Sequence, residues 1–147
     1  MTAKEILTRP KTLKMSVRAE MDNLIALRAM AESCTSHMKL TGSNHQQGQR
    51  SRLESITIRL AEEEKKLNDI LTDLAAAEGE ALELIRMLEK SEQRAVLMCR
   101  YIQERTWKDV AKACFIGRTT ALACHRDALQ QLDRLLAQQQ KKKEDAT

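Results

Sequence analysis

The sequence predicts an all-α protein in which a long, coiled-coil-like helical stem is followed by a C-terminal helix-turn-helix domain. Composition is the first indication, because one Pro and four Gly in 147 residues leave few helix breakers. An apolar repeat of seven residues between 53 and 88 is the second. The third is a short helix, a tight turn and a longer helix predicted between 107 and 136. A chain of this length fits one small domain with a helical appendage.

The stem is predicted from two seam positions that recur every seven residues without a skip. The first position holds Leu53, Leu60, Leu67, Leu74, Ala81 and Leu88, and the second holds Ile56, Glu63, Ile70, Ala77 and Leu84. Ser51 and Glu54 have the spacing of a capping box, which predicts a helix over 51–89. Such a narrow stripe pairs with one or two helices. The partner can be a predicted helix over 15–32, a second copy of the chain, or both.

The predicted stem spans 15–90 and contains a loop over 35–50, where two glycines and many polar residues interrupt the helical pattern. His37 and His45 fall in this loop and are interpreted as solvated side chains. The two ends of the chain are predicted as a flexible basic arm over 1–14 and a disordered tail over 140–147.

Charge is distributed unevenly along the chain. Residues 51–93 contain six Lys or Arg and eleven Asp or Glu, a net charge of −5. Residues 94–136 contain eight Lys or Arg and four Asp or Glu, a net charge of +4. A basic C-terminal domain suits a polyanionic partner, whereas the acidic segment before it would repel one.

The C-terminal domain is predicted over 91–139. Its helices are expected over 92–103, 107–113 and 118–139. Ser91 is the expected cap of the first helix, and Thr106, with Asp109 three residues later, is the expected cap of the second. Gly117 is expected to supply the backbone angles of the tight turn. The only aromatic residues of the chain fall in this domain and are interpreted as anchors of its core: Tyr101, Trp107 and Phe115.

A recognisable pattern lies within residues 82–136. The residues that carry it are Arg100, Tyr101, Ile102, Thr106, Trp107, Val110, Ala111, Arg118, Thr120, His125, Ala128 and Leu129. With them the segment resembles region 4 of sigma-70-type factors. It is still more similar to the C-terminal domain of ArpU/RinA-like late-gene regulators from phages and prophages of Gram-positive bacteria. Three positions depart from that pattern: Phe115 replaces a turn Gly, Gly117 a capping Ser, and Ala121 a β-branched residue.

The resemblance implies a sequence-specific, DNA-binding transcriptional regulator of phage or prophage origin, with the helix from Arg118 in the major groove. The predicted DNA-binding residues are Arg105, Thr106, Lys108, Lys112, Arg118, Thr119, Thr120, Leu122, Ala123 and Arg126. Arg118 is the candidate for a guanine, and Leu122 and Ala123 can meet only thymine methyl groups. The side chains from 105 to 112 suit phosphates. The competing interpretation of each basic residue is an ordinary solvated side chain.

No arrangement for enzymatic chemistry is present in the sequence, so no enzyme and no cofactor are expected. The four cysteines, Cys34, Cys99, Cys114 and Cys124, lack paired zinc-ligand spacing and are interpreted as apolar filling. Without a long apolar run or a signal sequence, we expect a protein of the bacterial host cytoplasm with no membrane partner. Expected partners are double-stranded DNA and a second copy of the chain, with RNA polymerase as a further candidate. The alternative functions are an oligomeric assembly factor similar to a terminase small subunit and a sigma-like polymerase-docking protein.

Overall fold

The computed structural model describes the backbone of residues 1–40 and 46–147 and the side chains of residues 1–37 and 47–147. Within these residues every secondary-structure element is helical, which confirms the all-α prediction. The elements are α1 (Ala3–Leu40), α2 (Gln46–Arg86), α3 (Ser91–Leu97), a π-helical segment (Met98–Ile102), α4 (Trp107–Ala113) and α5 (Arg118–Asp145). The chain divides into a hairpin unit, Thr12–Leu74, and a head unit, Met1–Lys11 with Ala75–Thr147.

In the hairpin unit, α1 and α2 run antiparallel and pack along two complementary seams. The buried or half-buried seam of α1 holds Leu13, Val17, Glu20, Leu24, Leu27, Ala31 and Cys34, and that of α2 holds Leu53, Ile56, Leu60, Glu63, Leu67, Ile70 and Leu74. Both seams alternate spacings of three and four residues, as in a two-stranded coiled coil. The Cys34 thiol donates to Oε1 of Gln49 at 3.1 Å, which joins the end of α1 to the start of α2. The predicted stripe of α2 therefore has a partner helix within the same chain.

Each seam of the hairpin contains one acidic residue, and the two residues meet. Glu20 faces Glu63, which raises the pKa of the Glu20 carboxyl group. Nζ of Lys66 lies 3.2 Å from Oε1 of Glu63. The Glu20–Glu63 and Cys34–Gln49 contacts are separated by fourteen residues on both helices, so a single register accounts for both. A polar pair inside an apolar seam disfavours other registers, because a shift would leave each carboxyl group against apolar side chains.

The head unit contains an apolar core that joins several of its helices. Its buried members are Ala3, Leu7, Ala81, Leu84, Ile85, Leu88, Leu97, Ala128 and Leu132. These residues come from the start of α1, the end of α2, the connection that holds Leu88, α3 and the middle of α5. The predicted apolar face of the last helix is present, since Leu129, Leu135 and Leu136 pack against this core from partly buried positions.

The predicted flexible arm over 1–14 is wrong, because these residues from Ala3 onward are helical and contribute to the head core. Thr2 and Glu5 form a reciprocal capping box: the Thr2 amide donates to Glu5 Oε2 at 2.9 Å, and the Glu5 amide donates to Thr2 Oγ1 at 3.3 Å. The Ala3 amide donates to Oδ1 of Asp133 on α5 at 2.8 Å. Ala3 and Leu7 are buried at 0% and 1% exposure, so this helix end belongs to the core.

Several predicted boundaries also need correction. Residues 35–40 and 46–50 are helical rather than part of a loop, while residues 41–45, including His45, lie outside the described residues. Ser51 and Glu54 are not a cap, because α2 begins at Gln46. Ser91 is the first residue of α3, and its N-cap is Lys90. The predicted tail over 140–147 is helical as far as Asp145, since its Gln and Lys residues favour a helix.

Candidate nucleic-acid interface

The first turns of α5 have one packed side and one exposed side. Ala121 and Ala128 are fully buried, at 0% exposure. Arg118, Leu122 and Arg126 are exposed and recur every four residues, so they lie along one surface of the helix. Leu122 is 40% exposed, although its side chain is apolar. The result is a solvent-facing strip with an apolar centre and a cation one turn away on either side.

The short helix α4 carries a second set of exposed cations. Thr106 is its N-cap, and the Asp109 amide donates to Thr106 Oγ1 at 3.3 Å, which confirms the predicted cap. Val110 and Ala111 are buried, so the exposed side presents Lys108 and Lys112, four residues apart. Arg105 is also exposed and precedes the cap.

A hydrogen-bonded loop joins the π-helical segment to α4. The Arg105 amide donates to the Cys99 carbonyl at 3.0 Å, and Nη1 of Arg100 donates to the Arg105 carbonyl at 2.9 Å. The Arg100 guanidinium lies 4.8 Å from the centre of the Trp107 ring, a cation–π distance. One arginine therefore holds both the loop and the first residue of α4.

An aromatic cluster holds the second turn of α5. The Tyr101 hydroxyl lies 2.6 Å from Nε2 of His125, and the Trp107 ring meets the His125 ring edge-on at 4.8 Å between centroids. Burial lowers the pKa of His125, and the positive charges of Lys4 and Arg100 lower it further. Burial raises the pKa of Tyr101. These pKa shifts favour a neutral imidazole beside a protonated phenol.

The turn between α4 and α5 differs from its prediction. Ile116 donates its amide to the Ala111 carbonyl at 3.0 Å and Phe115 donates to the Lys112 carbonyl at 3.3 Å, the pair of bonds of a Schellman motif. The left-handed residue of this motif is Phe115, with φ of 58°. Gly117 is instead the extended N-cap of α5, with φ of −73° and ψ of 158°, so the glycine is not the residue that needs special backbone angles.

Phe115 is also not a core residue, since its side chain is 95% exposed. The predicted aromatic core is thus partly wrong: Tyr101 and Trp107 are half-buried around His125, whereas Phe115 projects into solvent. The sequence offered one signal of this difference, since Phe115 departs from the glycine of the helix-turn-helix pattern that the segment resembles.

The ten predicted DNA-binding residues fall into two groups. Those that stay exposed are Arg105, Thr106, Lys108, Lys112, Arg118, Thr119, Thr120, Leu122 and Arg126. Ala123 is half-buried and presents less surface than predicted. The Thr106 hydroxyl already accepts a hydrogen bond as the helix cap, so its first role is structural. The sequence pattern includes Arg100 but assigns it no role, whereas in the structure it positions the loop. Asp133, which caps α1, was not singled out from the sequence.

The cysteines of the head are half-buried thiols. Burial raises the pKa of Cys114, and the neighbouring Cys99 raises it further. Burial also raises the pKa of Cys124, together with the carboxylates of Glu92 and Asp127. Among residues 1–40 and 46–147 described here, no group of three His, Cys, Asp or Glu side chains is placed to hold a metal ion. Protonated, partly buried thiols act as apolar filling.

Comparison with known proteins decides the family. A family model described as "Protein of unknown function (DUF1492)" matches residues 34–133. The chain belongs to this family. The matched residues include the described parts of the hairpin from Cys34 onward, α3, α4 and the first half of α5, and thus the whole exposed strip. No curated protein and no solved structure matches the chain. None of the helices within the described residues is long and apolar enough to cross a membrane.

Proposed function

We propose that this member of the DUF1492 family binds double-stranded DNA in a sequence-specific manner, and that α4 and α5 act as a helix-turn-helix. The observation that carries the proposal is the strip of Arg118, Leu122 and Arg126 on the exposed side of a helix that is packed at Ala121 and Ala128. The major groove of B-DNA is about 12 Å wide and admits one α-helix. The first turns of α5 pack against the protein on one side and leave polar and apolar side chains exposed on the other, so α5 fits that role.

The charge around the strip supports a polyanionic ligand. Lys108 and Lys112 lie exposed on α4, and Arg105 precedes it. Cations on the helix that flanks a groove-bound helix suit phosphates, which position the protein without specifying sequence. Arg118 and Arg126 can donate two hydrogen bonds to a guanine edge, and Leu122 can contact a thymine methyl group. The same surface thus offers both kinds of contact that a specific complex requires.

The biological setting follows from the resemblance to ArpU/RinA-like regulators. We infer that the protein acts in transcription of a phage or prophage and binds near a promoter or late operon. The test of this inference compares the affinity of the protein for duplex fragments of the source genome with its affinity for random duplex DNA. Arg118→Ala should cost roughly 1–3 kcal/mol on the preferred fragment only. Arg134→Ala, an equal loss of charge at an exposed position further along α5, is the matched control and should leave the affinity unchanged.

A protein-docking head is the second candidate function, and the exposure of Phe115 favours it. An aromatic side chain that is 95% exposed suits an apolar pocket of a partner such as RNA polymerase or a packaging complex. The two functions separate by measurement, because a docking head would show no affinity for any duplex. A mass of eight or more subunits would favour the assembly form of this second function.

The predicted homodimer remains a proposal. Since the seam of α2 is covered by α1, a second copy would have to use other faces of the hairpin. Exposed apolar side chains lie on both helices there, with Ile25 at 61% and Ile58 at 62% exposure. Sedimentation of the purified chain measures this directly, and a monomer at high micromolar concentration would contradict the dimer.

A further inference from the structure

Phe115 combines two features that each disfavour a phenylalanine at its position. Its backbone is in the left-handed region, with φ of 58°, where a glycine is favoured because it has no Cβ. Its side chain is 95% exposed, so the phenyl ring gains no burial in the folded chain. The position is the left-handed residue of the Schellman motif that ends α4. Folding alone therefore does not explain this residue.

The surroundings of Phe115 are basic. Lys112 lies three residues before it and Arg118 three residues after it, and both side chains are exposed. Three residues span at most about 11 Å of chain, so the phenyl ring is within reach of any groove edge on which Arg118 docks. An exposed aromatic ring between cations matches a nucleic acid, which offers phosphates to the cations and apolar sugar and methyl surface to the ring.

We propose that Phe115 is a DNA-contacting residue that buries its ring against the duplex where α4 turns into α5. This inference rests on the proposed DNA-binding function. The ring adds apolar contact beside the phosphate contacts of Lys112, and the strained backbone is retained because the complex, rather than the free protein, benefits from it. Since the sugar surface is the same at every base pair, this contact stabilises complexes with many sequences.

The proposal predicts opposite effects on stability and on binding. Phe115→Gly removes the ring and relieves the left-handed backbone, so the midpoint of thermal unfolding should rise by about 2–6 °C. The same substitution should weaken binding to preferred and random duplexes alike, by about fivefold or more for a lost aromatic contact. A residue that serves the fold alone would lower both quantities together.

Two further variants separate the ring from the backbone. Phe115→Asn tolerates the left-handed conformation without the freedom of glycine and should lose as much affinity as Phe115→Gly, which excludes a flexible turn as the cause. Phe115→Tyr retains the ring and should bind within about twofold of the original protein.

The experiment is a fluorescence anisotropy titration of the full chain with labelled duplex, paired with thermal unfolding of each variant. Glycine and asparagine variants that are at least as stable as the original protein but bind more weakly are the expected result. Unchanged duplex affinity in those variants, or a loss of stability in Phe115→Gly, would overturn the role of Phe115 while leaving the DNA-binding function intact. Failure of the original protein to bind any duplex would remove the function itself, a distinct outcome.

Discussion

The hydroxyl of Tyr101 and Nε2 of His125 lie 2.6 Å apart, and their hydrogen bond ties the π-helical segment to the second turn of α5. π-Helical segments often occur at functional sites. The extra residue in the turn changes the direction in which a side chain points. Here the segment brings Tyr101 to His125, and Trp107 closes the other edge of the imidazole. His125 thereby acts as a positioning residue for the exposed strip of α5.

We predict that the stability of the head depends on pH through His125. Burial, Lys4 and Arg100 lower its pKa in the folded state, so the unfolded state binds the proton more readily. The stabilisation is complete above the unfolded pKa of about 6.5 and is lost as the pH falls toward the lower folded pKa. Urea unfolding between pH 5 and pH 8, followed by Trp107 fluorescence, should show this slope. His125→Gln should abolish it.

Trp107→Ala should destabilise the head by about 3 kcal/mol, the lower end of the range for large aromatic residues, because the ring is half-buried. It would lose contacts with His125 and with Arg100. Circular dichroism of thermal and urea unfolding measures the loss. A variant with the original melting behaviour and no DNA binding would contradict this assignment and make Trp107 a ligand contact.

The acidic pair of the hairpin should make Glu20→Gln more stabilising at pH 8 than at pH 4. The facing carboxyl group of Glu63 raises the pKa of Glu20 above its ordinary value, and burial adds to the shift. A raised folded pKa gives stability that is present at low pH and lost as the pH rises through that folded pKa. A glutamine side chain can donate a hydrogen bond at both pH values, because its amide group carries N–H donors that do not titrate. Equal effects at both pH values, in denaturant titrations of the full chain, would show that the two groups do not share a proton.

Leu122 should make binding sensitive to thymine methyl groups. Replacing thymines of the preferred site with deoxyuridine removes the methyl group and keeps every hydrogen-bonding group of the base pair. We expect about a two- to tenfold loss at one or two positions, the effect of losing one apolar contact. Leu122→Ala should bind both duplexes equally. If the variant keeps the same preference for thymine, another residue makes the contact.

The fold was predictable where side-chain periodicity alone decides it. The seven-residue repeat of α2 and the Thr106 cap are local patterns, and both are present as predicted. The start of α1 was missed because its helix is stabilised by distant residues: Asp133 caps the Ala3 amide, and Leu7 is buried by core side chains from other helices. Contacts between residues so far apart in the sequence produce no local pattern. The capping box of Thr2 and Glu5 was the local indication that a helix begins there.

The candidate interface shows the same limit. Spacing predicted which side of α5 is exposed, because helical periodicity fixes the relation between Ala121, Leu122 and Arg126. The turn was mispredicted because a glycine was assumed to occupy the left-handed position, whereas backbone hydrogen bonds place Phe115 there. Glycine favours such positions but does not determine them, since the helix end and its neighbours select the residue that adopts them.

The salt dependence of duplex affinity tests the central claim most directly. Affinity for a promoter fragment and for random DNA would be measured from about 50 to 200 mM salt, where each phosphate contact contributes about 0.9 to the log–log slope. The original protein should bind both duplexes, and the double variant Lys108→Ala with Lys112→Ala should reduce the slope by about 1.8 on both. An unchanged slope in the double variant, or no binding by the original protein at about 50 mM salt, would contradict DNA recognition by α4 and α5.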